Sequence, residues 1–242
     1  MRSLVRSLLL ATSLFTLASC AEKTSLPVEG NSQSMTQEGY KRYGVESGII
    51  VYEKTGYQTG TETVYFDQWG MREARYDDSE ITAEGETVKT NQLILLDGEW
   101  TYNIDLNTKE GTKLKNSSYA EIAEQSGSKD MATLGESMLQ SLGGKKTGTE
   151  VIAGKECDVW LLESLGSVNC IWNSIPLKTE VTLGDIQVSG IATSVQEGGP
   201  ISEDKFKVPA GITLSEENQM FDPETLQEME DSMPLEEEMQ PE

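Results

Sequence analysis

The sequence predicts an α+β, mainly β protein: an antiparallel sheet of about eleven strands, interrupted once by two helices. Three observations carry this expectation. Short runs of strand-forming residues recur every 8–12 residues or so, with Gly, Asn and Asp between them, as hairpin-linked strands require. One internal stretch, from Ser117 to about Leu142, changes to apolar spacings of three and four, the signature of a helix face. The only strongly apolar run, Leu8 to Ala18, is about half the roughly 20 residues that a membrane helix needs, which leaves a globular body with tails.

The chain begins with an export pattern. Arg2 and Arg6 form a basic region, and Leu8 to Leu17 an apolar core of signal-peptide length. Leu17-Ala18-Ser19-Cys20 resembles the bacterial lipobox: an aliphatic residue, two small residues that fit a narrow peptidase pocket, and the cysteine that is acylated. Residues 1–19 are therefore expected to be removed, and Cys20 to carry the lipid. The alternative is an ordinary secretory signal cut near Ala18 or Ala21, with Cys20 incidental. Each buried methylene contributes about 0.8 kcal/mol, so several acyl chains make a permanent anchor where one makes a reversible one. Ala21 rather than Asp follows the cysteine, which by the enterobacterial sorting rule points to the outer membrane, facing the periplasm. Residues 20–43 then read as the lipidated cysteine and a Ser/Thr/Gln-rich tether without hydrophobic period.

The β-rich domain is expected at 44–214. Its first strands are Gly48–Lys54, Thr61–Asp67 and Met71–Tyr76, followed by Glu86–Leu96, Glu99–Asp105 and Thr108–Leu114. Turns at Asp97-Gly98 and Asn107-Thr108 have the residue types of tight hairpins. In the middle, Tyr119, Ile122 and Ala123, then Met131, Leu134, Met138, Leu139 and Leu142, mark two helices broken near Gly127 and stopped at Gly143-Gly144. That Met-rich face either packs on the sheet or, through Met131, Leu134 and Met138, lines an adaptable apolar cavity, since thioethers fit irregular ligands. Strands resume at Glu150–Gly154, Glu156–Leu162, Val168–Asn173, Leu177–Leu183 and Ile186–Gln196. From Ser215 to Glu242 there are eleven acidic residues and no basic ones: a tail, with a short helix favoured by Asp222-Pro223.

Besides Cys20, the cysteines are Cys157 and Cys170, thirteen apart around a turn at Glu163–Gly166. A hairpin centred there would set them opposite one another, within reach of a disulfide in an oxidising periplasm, contributing about 3 kcal/mol by loop closure. Free buried thiols are the alternative. Redox catalysis is disfavoured by the lack of a C-x-x-C pair.

Several ordered segments carry a family resemblance: Glu150–Cys157, Cys170–Lys178 with Trp172-Asn173-Ser174-Ile175-Pro176, Ala192–Val195, and Phe206–Gly211. The early Tyr65–Glu73 block adds to it. Together they resemble an uncharacterised bacterial lipoprotein family, a domain of unknown function related to the LolA/LolB lipoprotein carriers, over most of Gly48–Gly211. Ser174 departs from it, a glycine being common there. The resemblance implies a strongly curved antiparallel sheet, an incomplete LolA-like barrel with helices capping its open side around an acyl-binding cavity. No LolA arginine or LolB protruding loop is identifiable for residue-by-residue transfer.

Composition narrows the function. With 41 acidic and 19 basic residues the formal charge is −22, which becomes −24 once Arg2 and Arg6 leave with the signal. Such a surface repels nucleic acid. The chain has no histidine, which removes imidazole-based acid–base catalysis and imidazole metal sites. Asp77-Asp78 and the acidic tail, both expected in loops, are the only dense carboxylate clusters, a thin basis for an enzyme or a calcium site. The expectation is thus a non-enzymatic lipoprotein without cofactor or metal. It would be held to a membrane by its lipid and would bind an apolar ligand such as an acyl chain. The alternative is an envelope scaffold that binds protein partners through its sheet and acidic tail.

Overall fold

In the computed structural model the described residues are 41–83, 86–98, 100–115 and 131–217, without the side chains of 83 and 131–134. The signal peptide, Cys20, the first of the two expected helices and the tail beyond residue 217 lie outside them.

Twelve strands form one open sheet. They are β1 (Gly48–Gly56), β2 (Gln58–Asp67), β3 (Arg72–Ala83), β4 (Glu86–Asp97), β5 (Trp100–Asp105), β6 (Glu110–Lys115), β7 (Lys145–Ile152), β8 (Lys155–Leu162), β9 (Ser167–Trp172), β10 (Ile175–Leu183), β11 (Ile186–Glu197) and β12 (Thr213–Glu217). One helix, α1 (Met131–Ser141), lies between β6 and β7. The strand order is β12-β6-β5-β4-β3-β2-β1-β11-β10-β9-β8-β7, antiparallel throughout except for the parallel β12–β6 pair. Two meanders are therefore joined through β1 and β11, with β7 and β12 as free edges.

Several expectations need correction. β3 runs on to Ala83, so Asp77 and Asp78 sit within a strand rather than a loop. β7 starts at Lys145 and ends at Ile152. Ala153-Gly154, expected as strand, are its two-residue turn, both with positive φ (48° and 77°), as a type I′ hairpin requires. β12 was not foreseen: Ser215–Glu217, assigned to the tail, pair with Thr112–Leu114. Tyr43, assigned to the tether, is buried in the core. Of the two expected helices, the second is α1, and it lies on β8–β9.

The sheet is curved enough for β7 to approach β11 within 8 Å, although three strands separate them in the ladder. Two register shifts mark the bend, at Val51/Tyr52 against β11 and at Pro176/Lys178 against β9, and the β10–β11 ladder stops at Lys178–Ile191. Beyond that level the ends of β9 and β10 come over to β1: Tyr52 Oη donates to Pro176 O at 3.0 Å, and Gly44 N to Asn173 O at 2.8 Å. One apolar cluster fills this bend, with Tyr43, Ile50, Tyr52, Val64, Phe66, Ile175 and Leu177 among its members. A second covers the other arm, where Phe206 closes over Ala74, Leu93, Leu95 and Ile104.

Side chains alternate faces along a strand, and pairing partners share a face. Trp160 pairs with Asn169, Asn169 with Thr179, Thr179 with Gly190, Gly190 with Lys54, Lys54 with Gly60 and Gly60 with Ser79. One face therefore runs without a break from β8 to β3. Ala74, Leu93 and Phe206 belong to the opposite face.

Candidate functional site

Helix α1 lies at the β8 end of that continuous face. Its C-terminus is closed locally: Leu142 N donates to Met138 O, Gly144 N to Leu139 O at 2.8 Å, and Gly143 takes φ +80°, which a glycine adopts without strain. Below it, alternation on β8 and β9 turns Asp158, Trp160 and Ile171 toward the helix, while Cys157, Val159 and Cys170 point to the other face. Between helix and strands is a cavity of about 580 Å³, lined by Met138, Leu139 and Leu142 above and by Trp160 and Ile171 below. This is within the usual range of about 300–1,000 Å³ for small-molecule sites. Trp160 is only 4% exposed, so its indole forms a floor rather than a lip.

Polar groups stand at the margin. Glu136 and Asp158 contribute carboxylates, and the Asn173-Ser174 turn supplies an amide and a hydroxyl. Lys146 lies 2.7 Å from Asp158, and that hydrogen bond raises the pKa of its ammonium. The turn has positive φ at both residues, 49° and 63°. Both are conformations that a glycine adopts with less strain than Asn or Ser. Among the described residues the arrangement is an apolar slot with polar groups at its margin.

Of the residues expected to meet a ligand, Met138 lines the cavity. Met131 and Leu134 lie on α1, but their side chains are outside the described residues, as is Cys20. Cys157 and Cys170 form a disulfide with Cα atoms 5.4 Å apart. They are not directly opposed as expected: β8 and β9 join at Leu162/Ser167, one residue further on, so Cys170 faces Val159 and the bridge runs diagonally to Cys157. It braces the bend from the face opposite the cavity. Trp160 and Ile171 were not singled out from the sequence; the strand pattern on β8 was legible, but not which of its faces would meet a helix.

A buried ionic network was also missed. Glu73 is 4% exposed on the face of Val64 and Phe66. Its carboxylate accepts from Tyr43 Oη and from Arg75 Nε at 2.6 Å, and Arg42 lies 3.3 Å away. Arg75 also reaches Glu62 at 2.8 Å, and Lys54 bridges Glu62 and Asp77. Burial pushes the Glu73 pKa up, but the guanidiniums of Arg75 and Arg42, with the Tyr43 hydroxyl, outweigh it and hold the carboxyl below its usual value. Burial first, and Glu73 second, raise the Tyr43 phenol. Asp77 is thus committed to Lys54, while the exposed Asp78 points to the other face, so the two do not form a catalytic pair.

No family model matches the chain. No curated protein sequence matches it either. Solved structures similar to it include an uncharacterised conserved protein from Thermus thermophilus, at TM-score 0.45 and 9% identity, covering 73% of this chain and 93% of that one. Others are the Pseudomonas aeruginosa MucA/MucB complex (0.37 and 13%, covering 68% and 56%) and the Mycobacterium tuberculosis lipoprotein LppX (0.31 and 14%, covering 66% and 91%). Among the described residues no helix is long and apolar enough to cross a membrane, and no group of three or more acidic or cysteine side chains is placed to hold a metal ion.

Proposed function

We propose that the protein is a lipoprotein of the cell envelope, anchored through Cys20 to the outer membrane and facing the periplasm, that binds an apolar ligand such as an acyl chain without catalysing a reaction. The observation that carries this reading is the cavity between α1 and β8–β9, with its apolar walls from Met138, Leu139, Leu142, Trp160 and Ile171. Its mouth has too few polar groups to orient a polar substrate on all sides, whereas an alkyl chain needs only shape and dryness. The lipobox at Leu17–Cys20 supports the address, and the disulfide suits an oxidising compartment.

The test has two parts. Mass spectrometry of the detergent-extracted protein should find a co-purifying lipid, and an uncharged fluorescent apolar probe should bind the delipidated protein. Leu139→Arg, which places a guanidinium in the slot, should weaken the probe at least tenfold while leaving the circular dichroism unchanged. An extract free of lipid, together with a probe that binds neither protein, would overturn the reading.

A further inference from the structure

The exposed apolar side chains of the described chain are unevenly distributed: Val151 lies at one end of the sheet, Ile94 and Leu214 on β4 and β12, and Met138 and Leu142 beside the cavity, while the other five gather at the opposite end. Tyr57, Val88, Leu165, Leu183 and Ile186 are 40–62% exposed, and the strand register puts all five at one end of the sheet. Gly56, beside Tyr57, is level with Val188; Val188 is level with Val181, and Leu183 with Ile186. Val181 is level with Ser167, two residues beyond Leu165. Gln58, on the other side of Tyr57, is level with Ile81, and Ile81 with Val88. The row thus follows the tips of the β8–β9, β10–β11 and β1–β2 hairpins and the start of β4. Lys145 pairs with Leu161 near the end of β8, so Leu142, at the mouth of the cavity and itself exposed, precedes a strand that starts at this same end.

We infer that this end of the sheet docks on a zwitterionic lipid bilayer, with Leu165, Leu183 and Ile186 entering the headgroup region. This rests on the proposed reading that the protein works beside a membrane and holds an apolar ligand. Apolar side chains on or beside the terminal ladder pairs of successive hairpins fit a laterally fluid surface that each tip can enter separately. Charge selects the lipid: Glu163, Asp185 and Glu86 stand at the same tips, only Glu163 with a lysine across from it, 3.5 Å from Lys145, and the chain carries −22. Anionic headgroups are repelled by such a field. Continuity with the cavity supplies the purpose, because a chain leaving past Met138 and Leu142 would pass into the bilayer without crossing water.

The anchor permits this orientation. Cys20 precedes the first described residue, Lys41, by 21 residues, a chain that spans at most about 70 Å when extended. β1 has nine residues and is about 30 Å long. The tether joins β1 at the end away from the tips, yet it is long enough to let them turn to the membrane.

Flotation tests the inference without the lipid anchor. The full chain from Ala21 is mixed with phosphatidylcholine/phosphatidylethanolamine vesicles, and compared with its Leu183→Ser/Ile186→Ser variant, with probe binding measured on both. The parent chain should co-float, the variant should lose at least tenfold of the bound fraction while binding the probe unchanged, and added phosphatidylglycerol should reduce flotation of the parent. A parent chain that stays in the dense fraction, or a variant that floats equally well, overturns docking. So does a parent that is dimeric in sedimentation and becomes monomeric in the variant without floating, since the tips would then be an interface between copies. Failure of the probe to bind, with flotation as expected, removes the ligand reading and leaves the docking surface standing.

Discussion

Replacing Glu73 by glutamine should destabilise the fold by about 2 kcal/mol at neutral pH, with a loss that fades in acid. Removing one partner of a buried ion pair costs about 3–5 kcal/mol when the remaining charge is left without solvent. Here the cost is smaller for two reasons. The Arg75 and Arg42 side chains are 26% and 25% exposed, and Arg75 keeps Glu62 at 2.8 Å. Glutamine also retains an acceptor for the Tyr43 hydroxyl or for Arg75, so the loss is that of the charge and not of the whole contact. The folded-state pKa of Glu73 lies below that of the unfolded chain, near 4.3. Its contribution is therefore complete above about pH 5 and is lost as the pH falls through the folded value, where carboxylic acid and amide become nearly equivalent. Urea denaturation of both proteins at pH 7, 5, 4 and 3 measures this directly, and the difference between them cancels the background from the other carboxylates. A gap below about 0.5 kcal/mol at pH 7, or one that does not narrow by pH 3, would refute the reasoning.

Two further substitutions probe the opposite face and the bend. Phe206→Ala should cost about 3–4 kcal/mol, because the ring is 6% exposed over Ala74, Leu93, Leu95 and Ile104 and also carries the Arg72 guanidinium at 4.3 Å; thermal unfolding reads the loss, and unchanged probe affinity would show that this face is independent of the cavity. Cys157→Ala with Cys170→Ala should lower stability by about 3 kcal/mol, the loop-closure contribution for a separation of 13 residues, and should make the protein indifferent to reductant in a denaturation titration.

Most of the sheet was legible because its strands obey local rules. The β4–β5 and β10–β11 hairpins turn on Asp97-Gly98 and Gly184-Asp185, and nothing distant is needed to place those turns. The errors have the opposite character. Asp77 and Asp78 look like a loop because charged pairs usually face water; they are strand because Lys54 on β1, 23 residues away, neutralises Asp77 from the same face. Tyr43 looks like tether because polar residues surround it in sequence. It is core because Phe66 meets its ring edge-on with centroids 5.0 Å apart, and Glu73 accepts its hydroxyl proton. β12 could not be read from Thr-Leu-Ser-Glu-Glu, since its strand character comes only from pairing with β6, about a hundred residues earlier. The cavity was half legible: the helix face with Met138 and Leu139 follows from spacing, but the floor depends on which side of β8 turns toward it. Alternation puts Trp160 and Ile171 on the side away from the two cysteines, but only the placement of α1 shows which side is covered.

Strand alternation decides how the protein divides its labour. Had Cys157 and Cys170 been directly opposed, Ile171 would sit level with Glu156 instead of Asp158, but it would still share the face of Trp160. With the observed register, the disulfide braces one face while Trp160 and Ile171 are left to the other, where their only described cover is an eleven-residue helix. The disulfide thus lies behind the cavity floor, on the face of β8–β9 away from α1, while the Tyr43–Glu73–Arg75 network lies in the first strands of the sheet. The cavity has one wall fixed in the hydrogen-bonded ladder of β8 and β9 and one presented by α1 through Met138, Leu139 and Leu142. A ligand between them would meet a floor held in the sheet ladder and a helix wall of Met138, Leu139 and Leu142, so the choice of ligand falls to those three side chains and to Trp160 and Ile171.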